Sequence, residues 1–458
     1  MRTTSITNNS LLAQDRANLV HPLHDLRMHA NDLGRVWVKG EGAILTDADG
    51  VEVVDGLSGL WNVTAGHGRR ELADAMHTQA ETLAYCSGYS GSSNLSAIEL
   101  ATRLSELSYP SINHFFFTSG GAEATESSIK MARAYWKIRE KPHKIKFISR
   151  TDSYHGVTLA AMSATGISMS ATGASPYWTL FEPRVPGFKH IASPYPYRYK
   201  APKGVSQGIA AANELETAIL NEGADTVAAF IAEPIQGAGG VISPQDDYFQ
   251  RIRAICNEYD VLFIADEVIT GFGRTGKLFA LDHWGVEPDI VQFAKAITSG
   301  YFPFGGIGIN DKLMQTLHDD GRPWMHAYTY SAHPVGCAVA LRTLQIINEE
   351  GFPEQAATKG NYLINTLKTV LDDHPHVGNI RGKGLMCAIE LVQDKTTKQP
   401  FPKQDQIGLK IQQTALQKGL FSRIKEDNYL LAPPIIISNE LLDRSIEILN
   451  EAIVAVLG

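Results

Sequence analysis

The stretch Asp289-Ile-Val-Gln-Phe-Ala-Lys295-Ala-Ile-Thr-Ser-Gly300 contains an apolar run that ends by delivering a primary amine into polar, glycine-rich surroundings. Upstream, Val261-Leu-Phe-Ile-Ala-Asp266-Glu267 ends in the same way on a carboxylate. The two side chains are 295 − 266 = 29 residues apart, which is long enough for a crossover between neighbouring parallel strands. The spacing therefore predicts that Lys295 and Asp266 share one crevice.

Other short apolar runs alternate with helical segments from about residue 95 onward, which is typical of a parallel α/β sheet. The runs are residues 114–118, 145–149, 227–232, 261–265 and 290–293. Before them, an Asp-Gly pair within residues 43–54 predicts a hairpin. After them, residues 335–348 predict a helix and residues 385–391 a strand of a smaller α+β lobe, whereas the Pro/Gly/Tyr-rich residues 183–206 predict a long surface loop.

Composition narrows the class of protein. The 458 residues are 44% hydrophobic and 20% charged, which allows a large core and more than one domain or lobe. A net charge of −8 without long charged blocks argues against nucleic-acid and anionic-lipid partners, so small-molecule chemistry is expected. A polar N-terminus and the lack of a long apolar stretch predict cytoplasmic residence and no membrane span. The four cysteines lack a CxxC pair, so neither a disulfide framework nor a metal site is expected.

Lys295 and Asp266 together suit pyridoxal phosphate (PLP). That cofactor needs a lysine to hold its aldehyde as a Schiff base and an acid to keep its pyridine nitrogen protonated. Neither residue alone establishes such a site.

A glycine-rich turn offers a place for the phosphate. Phe117-Thr-Ser119-Gly120-Gly121-Ala122-Glu123-Ala124 joins a strand to a helix, where free backbone N–H groups and the two hydroxyls suit an anion. The alternative is an ordinary strand-to-helix turn with Ser119 as the helix cap.

Polar and aromatic residues follow further apolar runs. The ring of Tyr154 would lie over a flat cofactor. The alternative is that Tyr154 only packs against other side chains and that the neighbouring His155 is there by chance. Gln236 would bond a ring substituent and Glu233 would pair with an arginine, unless both only satisfy loop backbone.

Arg423, in the C-terminal lobe, would bind a substrate carboxylate bidentately or lie solvated on the surface.

In order, the Ser119–Ala124 turn, Glu233-Pro234, the run Asp266-Glu267-Val-Ile-Thr-Gly-Phe-Gly-Arg-Thr-Gly276 and Ala294-Lys295 resemble the class III aminotransferases of PLP fold type I. The resemblance implies a large domain, residues 66–335, with a mainly parallel seven-stranded sheet flanked by helices. It also implies a smaller α+β domain built from residues 1–65 and 336–458.

The resemblance also implies roles for individual residues. Lys295 would be the Schiff-base lysine and proton shuttle, and Asp266 the partner of the pyridine nitrogen. Thr329 would reach the phosphate of the partner subunit, which implies an obligate homodimer with active sites at the interface and leaves tetramer formation open. The remaining cofactor-binding residues would be Ser119, Gly120, Gly121 and Ala122 at the phosphate, Val268 and Tyr154 on the two ring faces, and His155 and Glu233.

Within the family, the segments around Trp61 and Gly300 resemble the amine:pyruvate, or omega, transaminases most closely. Trp61, Tyr154 and Arg423 would then bind substrate, with Arg423 gripping the acceptor's carboxylate and swinging away for uncharged amines. Two departures from the family pattern are Ala122, which removes a hydroxyl from the phosphate turn, and Gln236-Gly-Ala238, which leans away from ornithine and 4-aminobutyrate enzymes.

The predicted function is ping-pong transfer of an amino group from a primary amine or omega-amino acid to a keto acid, with pyruvate as the expected acceptor. An aminomutase, a racemase or a decarboxylating PLP enzyme on the same fold is the alternative. A noncatalytic relative is disfavoured by the intact Lys295, Asp266 and Tyr154. The sequence leaves the physiological amine open.

Overall fold

The computed structural model describes residues 8–23, 35–167 and 175–458. Its strands are β1 (Trp37–Glu41), β2 (Ile44–Asp47), β3 (Glu52–Asp55), β4 (Ile112–Thr118), β5 (Lys146–Arg150), β6 (Phe188–Ile191), β7 (Val227–Ala232), β8 (Leu262–Asp266), β9 (Ile290–Phe293), β10 (Gly305–Asn310), β11 (Val377–Gly382), β12 (Cys387–Leu391), β13 (Leu420–Phe421), β14 (Arg423–Lys425) and β15 (Asn428–Leu431). Its helices are α1 (Asn8–Asn18), α2 (Ser58–Trp61), α3 (Arg70–Thr82), α4 (Leu95–Leu107), α5 (Gly121–Ile138), α6 (Leu159–Ala164), α7 (Gln207–Glu222), α8 (Tyr248–Glu258), α9 (Asp311–Asp320), α10 (Pro334–Glu349), α11 (Phe352–Leu371), α12 (Ile407–Gln417) and α13 (Asn439–Leu457).

A seven-stranded sheet forms the centre of the molecule, in the order β4-β10-β9-β8-β7-β5-β6. All its strands run parallel except β10, which is antiparallel to both of its neighbours, β4 and β9. The five predicted strands are confirmed, and β8 and β9 are adjacent and parallel as the spacing of Asp266 and Lys295 predicted.

Two strands of this sheet escaped prediction. β10 contains three glycines, so it lacks the apolar run by which the other strands were predicted. Glycine is needed there because a Cβ added to Gly306 would lie 2.8 Å from the Phe116 carbonyl oxygen. β6 lies within residues 183–206, so the prediction of a surface loop over that whole stretch is wrong. Phe188 and Ile191 of β6 are buried and the strand forms one edge of the sheet.

Alternating side chains of the central strands feed two separate apolar cores. Phe147, Ile231 and Ile264 pack into the core that contains α5, while Ile148 and Phe230 join the larger core on the other face. Both faces of these strands are therefore covered, which explains why they read as continuous apolar runs.

Two four-stranded sheets lie outside the central one, in the orders β1-β2-β3-β13 and β11-β12-β15-β14. The predicted hairpin is β2-β3, and β13 pairs with β3, so segments from both ends of the chain share a sheet. The predicted helix at 335–348 and strand at 385–391 are confirmed as α10 and β12. The numerical domain boundaries stay a prediction. Residues 1–7 and 24–34 of the first segment and residues 168–174 of the large domain lie outside the described residues.

In the described residues, no helix is both long and apolar enough to cross a bilayer. No group of three or more His, Cys, Asp or Glu side chains is placed to hold a metal ion in these same ranges. The four cysteines are free, and three of them, Cys256, Cys337 and Cys387, are buried.

Candidate active site

A cavity of about 200 Å³ lies at the carboxyl ends of the central strands. The lining residues lie at or within seven residues after the ends of β4, β5, β7, β8 and β9, because parallel strands present their carboxyl ends at the same edge of a sheet. The lining residues are Gly121, Ala122, Tyr154, His155, Gly156, Val157, Glu233, Asp266, Val268, Ile269 and Lys295. Eight of the residues predicted from sequence are thus brought together: Gly121, Ala122, Tyr154, His155, Glu233, Asp266, Val268 and Lys295.

Lys295 follows β9 and takes a left-handed backbone conformation with φ of 50°, which turns the chain sharply as it leaves the sheet. Burial is the largest influence on this ammonium and lowers its pKa. The carboxylates of Asp266 and Glu233 raise the pKa, whereas the positive charge of Arg423 lowers it further. The net shift is downward, which favours the neutral amine that a nucleophile and proton acceptor needs.

Asp266 is the last residue of β8 and is only 3% exposed. One carboxylate oxygen bonds His155 Nδ1 at 2.7 Å, and the other accepts from the Val268 N–H at 3.1 Å. His155 Nδ1 donates to this carboxylate, and its Nε2 has no partner among the described residues. The two bonds fix the carboxylate at the end of its strand.

His155 therefore has a role that the sequence did not reveal. In the motif Tyr154-His155-Gly156, the sequence drew attention to the aromatic ring of Tyr154. In the structure it is the His155 imidazole that orients Asp266, a residue 111 positions later in the chain. No local signal marks that contact, since it depends on the juxtaposition of β5 and β8.

We expect His155→Ala to weaken cofactor binding about 10- to 100-fold, the range for losing a hydrogen bond to a charged group. The loosened carboxylate would meet the cofactor in several orientations. Titration of the cofactor-free protein with PLP, followed by absorbance, measures the dissociation constant. His376→Ala, which removes an imidazole that bonds the Val392 carbonyl away from the cavity, is the matched control; an equal loss there would contradict the assignment.

Glu233 follows β7 and is 2% exposed. Its carboxylate accepts from the backbone N–H groups of Tyr154 and Gly237, each at 2.9 Å. Burial raises its pKa to about 7, with Asp266 adding to the rise and His155 opposing it. The predicted pairing of this carboxylate with an arginine is wrong, because Arg150 bonds the Glu233 backbone carbonyl instead. Glu233 instead fixes the loop that carries Tyr154.

Gln236 is fully buried and does not line the cavity. Its side-chain oxygen accepts from the Ser193 hydroxyl at 2.7 Å, and its amide donates to the Thr151 carbonyl at 2.7 Å. Both ends of the amide bond surrounding loops, so the prediction that Gln236 bonds a ring substituent is wrong. The alternative, that it satisfies loop backbone, holds for its nitrogen, whereas its oxygen bonds a side chain.

The predicted phosphate turn is the start of α5, which begins at Gly121 with Gly120 as its N-cap. The first N–H groups of a helix have no intrahelical partner and carry partial positive charge, which suits an anion at Gly121 and Ala122. A Cβ at Gly121 would lie 3.0 Å from the Val268 side chain, so glycine permits the close approach.

Ser119 and Gly120 precede the helix and are not among the cavity-lining residues. The Ser119 N–H donates to the Glu123 carboxylate at 2.8 Å, which removes that donor from an anion site. No side chain of the described residues caps α5, so the alternative reading of Ser119 as a cap is wrong. The role of Ser119 and Gly120 at the phosphate stays a prediction.

Besides Gln236, Ser119 and Gly120, three further predicted residues lie away from the cavity lining. Trp61 is 2% exposed within the larger core, and its role as a pocket wall stays a prediction. Thr329 is exposed, with its carbonyl accepting from the Tyr85 hydroxyl at 2.8 Å. Arg423, on β14, is near enough to affect the pKa of both Tyr154 and Lys295, and it makes no side-chain hydrogen bond or ion pair within the described residues.

These groups suit a phosphorylated aromatic aldehyde. A helix N-terminus faces the cavity for an anion, Val268 and Ile269 offer apolar contact, and Tyr154 supplies an aromatic ring. Asp266 supplies a negative charge for a ring cation and Lys295 an amine for an aldehyde. PLP combines all of those chemical features.

The fold and this cavity together define a class of enzyme, and the chain belongs to the class-III aminotransferase family, which it matches over residues 27–453. Putrescine–pyruvate aminotransferase of Pseudomonas aeruginosa is 37% identical, over 96% of this chain and 95% of that protein. An (S)-enantioselective omega-transaminase of Thermomicrobium roseum is 45% identical with a TM-score of 0.94, covering 99% of both chains. An omega-transaminase of Pseudomonas jessenii, solved with PMP, is 37% identical with a TM-score of 0.93, covering 98% of both.

The protein is therefore a PLP-dependent aminotransferase of fold type I. When bound, PLP supplies an aldehyde that links to amines and a ring that withdraws electrons from the substrate carbon. Asp266 would hold the proton on the ring nitrogen. Lys295 would hold the cofactor at rest and, once released, carry a proton to and from the substrate carbon. Tyr154 and Val268 would confine the ring.

Proposed function

We propose that this aminotransferase moves the amino group of a primary amine or omega-amino acid to pyruvate. The observation that carries the proposal is Arg423: a guanidinium beside the cavity, with no side-chain partner among the described residues. A keto acid brings the carboxylate that such a cation binds. The similarity to a putrescine–pyruvate aminotransferase and to two omega-transaminases supports the same substrate class.

One cavity has to serve both half-reactions, accepting first an amine donor, with or without a carboxylate, and then a keto acid, which always has one. Most of the lining near Lys295 is apolar or backbone, as with Val268, Ile269 and Gly156, which suits a donor without a carboxylate. The Arg423 side chain makes no hydrogen bond or ion pair within the described residues. Its guanidinium can therefore turn toward a keto acid and away from a donor that has no carboxylate.

The direct test is to mix the cofactor-loaded enzyme with a panel of monoamines, diamines and omega-amino acids, each with pyruvate or 2-oxoglutarate, and to quantify alanine and glutamate. Alanine formation that exceeds glutamate supports the proposal. Formation of glutamate without alanine would identify 2-oxoglutarate, and not pyruvate, as the acceptor. Turnover of the amine without any acceptor would favour an aminomutase or racemase, and CO₂ release a decarboxylating enzyme.

We expect Arg423→Leu to raise the KM for pyruvate about 10- to 100-fold, since charge-assisted bonds to the carboxylate are lost. The KM for benzylamine, which has no carboxylate, should change less than about twofold. Steady-state kinetics with each substrate varied in turn measure both. Arg444→Leu, at an exposed arginine of α13, is the control that should change neither constant. A parallel rise in both constants would show that Arg423 serves the fold rather than the acceptor.

We further propose that the enzyme is a cytoplasmic homodimer. Thr329 is exposed rather than directed into its own chain's cavity, as a residue serving a partner's site has to be. Large apolar side chains are exposed on α4 and near Thr329, namely Leu95, Ile98, Met325 and Tyr330 at 70, 55, 85 and 59%. Light scattering on the protein as it elutes from gel filtration measures the mass of the assembly. A fully active monomer would contradict the proposed dimer.

A further inference from the structure

Strand β14 carries two cationic side chains on one face. Arg423 and Lys425 are two residues apart, and side chains at that spacing project from the same side of a strand. Arg423 lies within electrostatic reach of Tyr154 and Lys295. Lys425 Nζ forms an ion pair with Asp152 at 3.1 Å, and the two side chains are 14 and 27% exposed. The strand that presents Arg423 is thus held to the cavity wall by its neighbour.

Asp152 lies in the loop that carries the cavity-lining residue Tyr154, and its backbone is tightly held there. It follows β5 by two residues and precedes Tyr154 by two, with a left-handed φ of 57°. Its N–H donates to the Gly166 carbonyl at 2.9 Å, and a Cβ added to Gly239 would lie 1.9 Å from its carbonyl oxygen. The loop that begins at Glu233 therefore packs directly on Asp152, and the aspartate has little freedom to follow a moving partner.

β14 has three residues and is the edge strand of its sheet, pairing only with β15. It is anchored at its start, where Gln412 of α12 donates to the Ser422 carbonyl at 2.7 Å and the Ser422 hydroxyl donates to the Leu430 carbonyl. Its other end, at Lys425, is held to the loop after β5 by the pair with Asp152.

The sheet has a second attachment through Arg381, which donates to the Gly240 carbonyl and to Glu390 and Asn428. That attachment acts through β11, β12 and β15, whereas the Lys425–Asp152 pair acts on β14, next to Arg423.

The charges around Lys425 favour the pair. Burial lowers the pKa of this ammonium, but Asp152 and Glu426 outweigh the effect of burial and the net shift is upward. Glu426, the other carboxylate within reach at 3.2 Å, is more exposed and lies on the hairpin of β14 itself, so it cannot tie the strand to the cavity wall. Asp152 is the partner that links the two parts of the molecule.

We propose that the ion pair between Lys425 and Asp152 positions Arg423 over the cavity and thereby sets the affinity for the carboxylate of the acceptor. This inference rests on the proposed role of Arg423 in binding the keto acid. Lys425 and Asp152 are positioning residues that act through Arg423 and touch neither substrate nor cofactor.

The test compares Lys425→Met and Asp152→Asn in the cofactor-loaded enzyme. Each removes one charge of the pair, and asparagine tolerates the left-handed conformation of Asp152. We expect each variant to raise the KM for pyruvate about 5- to 10-fold, with kcat and the KM for benzylamine within about twofold of the parent. The double variant should match the single variants, because both remove the same interaction.

Lys146→Met is the matched control. Lys146 pairs with Glu222 at 2.8 Å, with side chains 28 and 19% exposed, and it lies at the opposite end of β5 from Asp152. This variant loses a comparable ion pair without loosening β14, so its KM for pyruvate should stay unchanged. Melting curves of all variants confirm that they are folded, and Asp152→Asn serves alone if Lys425→Met does not fold.

Kinetics in the Arg423→Leu background separate the two hypotheses. If Arg423→Leu raises the KM for pyruvate, adding Lys425→Met should raise it no further. If Arg423→Leu has no effect on that KM, the proposed role of Arg423 fails, and the positioning proposal fails with it. If Arg423→Leu raises the KM but Lys425→Met and Asp152→Asn do not, or if they raise both KM values alike, the positioning proposal alone is overturned.

Discussion

Lys295→Ala should leave a folded protein whose transamination rate is at least about 10⁴-fold below that of the parent, because the variant loses the covalent anchor and the proton carrier together. The remaining cavity still offers the N-terminus of α5, Asp266 and Tyr154, so PLP should bind noncovalently. Absorbance after gel filtration, with excess PLP removed, reports retention of the cofactor. Alanine formation from amine and pyruvate reports the rate.

Lys359→Ala is the control for loss of a half-buried lysine. Lys359 on α11 donates to the Gln355 side chain and to the Ile435 carbonyl, away from the cavity. Its removal should lower the melting temperature but leave the rate per folded enzyme within about twofold. Near-normal turnover of Lys295→Ala would show that Lys295 takes no part in the reaction.

Asp266→Asn has the second-largest expected effect, a fall in kcat of about 10²- to 10⁴-fold. The amide keeps the size of the carboxylate and can still accept a bond from His155, but it carries no charge to hold a proton on the ring nitrogen. Cofactor binding should persist, so the loss appears in kcat and not in the amount of bound PLP. Single-turnover absorbance changes on adding amine measure the step directly.

Asp289→Asn provides the comparison. Asp289 also sits at the end of a strand connection, where it binds Arg253 and the Phe263 N–H, but it lies outside the cavity. That variant should lose stability and keep its kcat. Unchanged turnover in Asp266→Asn would make Asp266 a structural carboxylate of the same kind.

Sequence reasoning was most successful where a signal is local. The runs that became β7, β8 and β9 are apolar because both faces of the sheet are covered, and the chain spacing placed Asp266 and Lys295 on adjacent strands. It failed for β10, whose glycines pack closely against Phe116 and Phe293 instead of supplying an apolar run. It also failed for β6, where turn-forming residues on both sides concealed a short edge strand.

The same division applies to the cavity. Strand ends and glycine-rich turns are visible along the chain, so the sequence predicted that Gly121, Tyr154, Glu233, Asp266 and Lys295 lie together, and all five line the cavity. The partners that a side chain selects are not visible, and Gln236 shows this: an amide next to a strand end was expected at the cofactor, whereas it satisfies Ser193 and Thr151.

The amino-acid order alone established a mainly parallel sheet, a lysine and an aspartate in one crevice and the resemblance to class III aminotransferases, because strand periodicity and motif chemistry depend on near neighbours. Only the folded chain showed that His155 orients Asp266 and that Lys425 binds Asp152, contacts between residues 111 and 273 positions apart. Such contacts depend on which elements pack together. Hydrogen bonds and ion pairs act over a few ångströms in space, and no pattern of neighbouring residues encodes that distance.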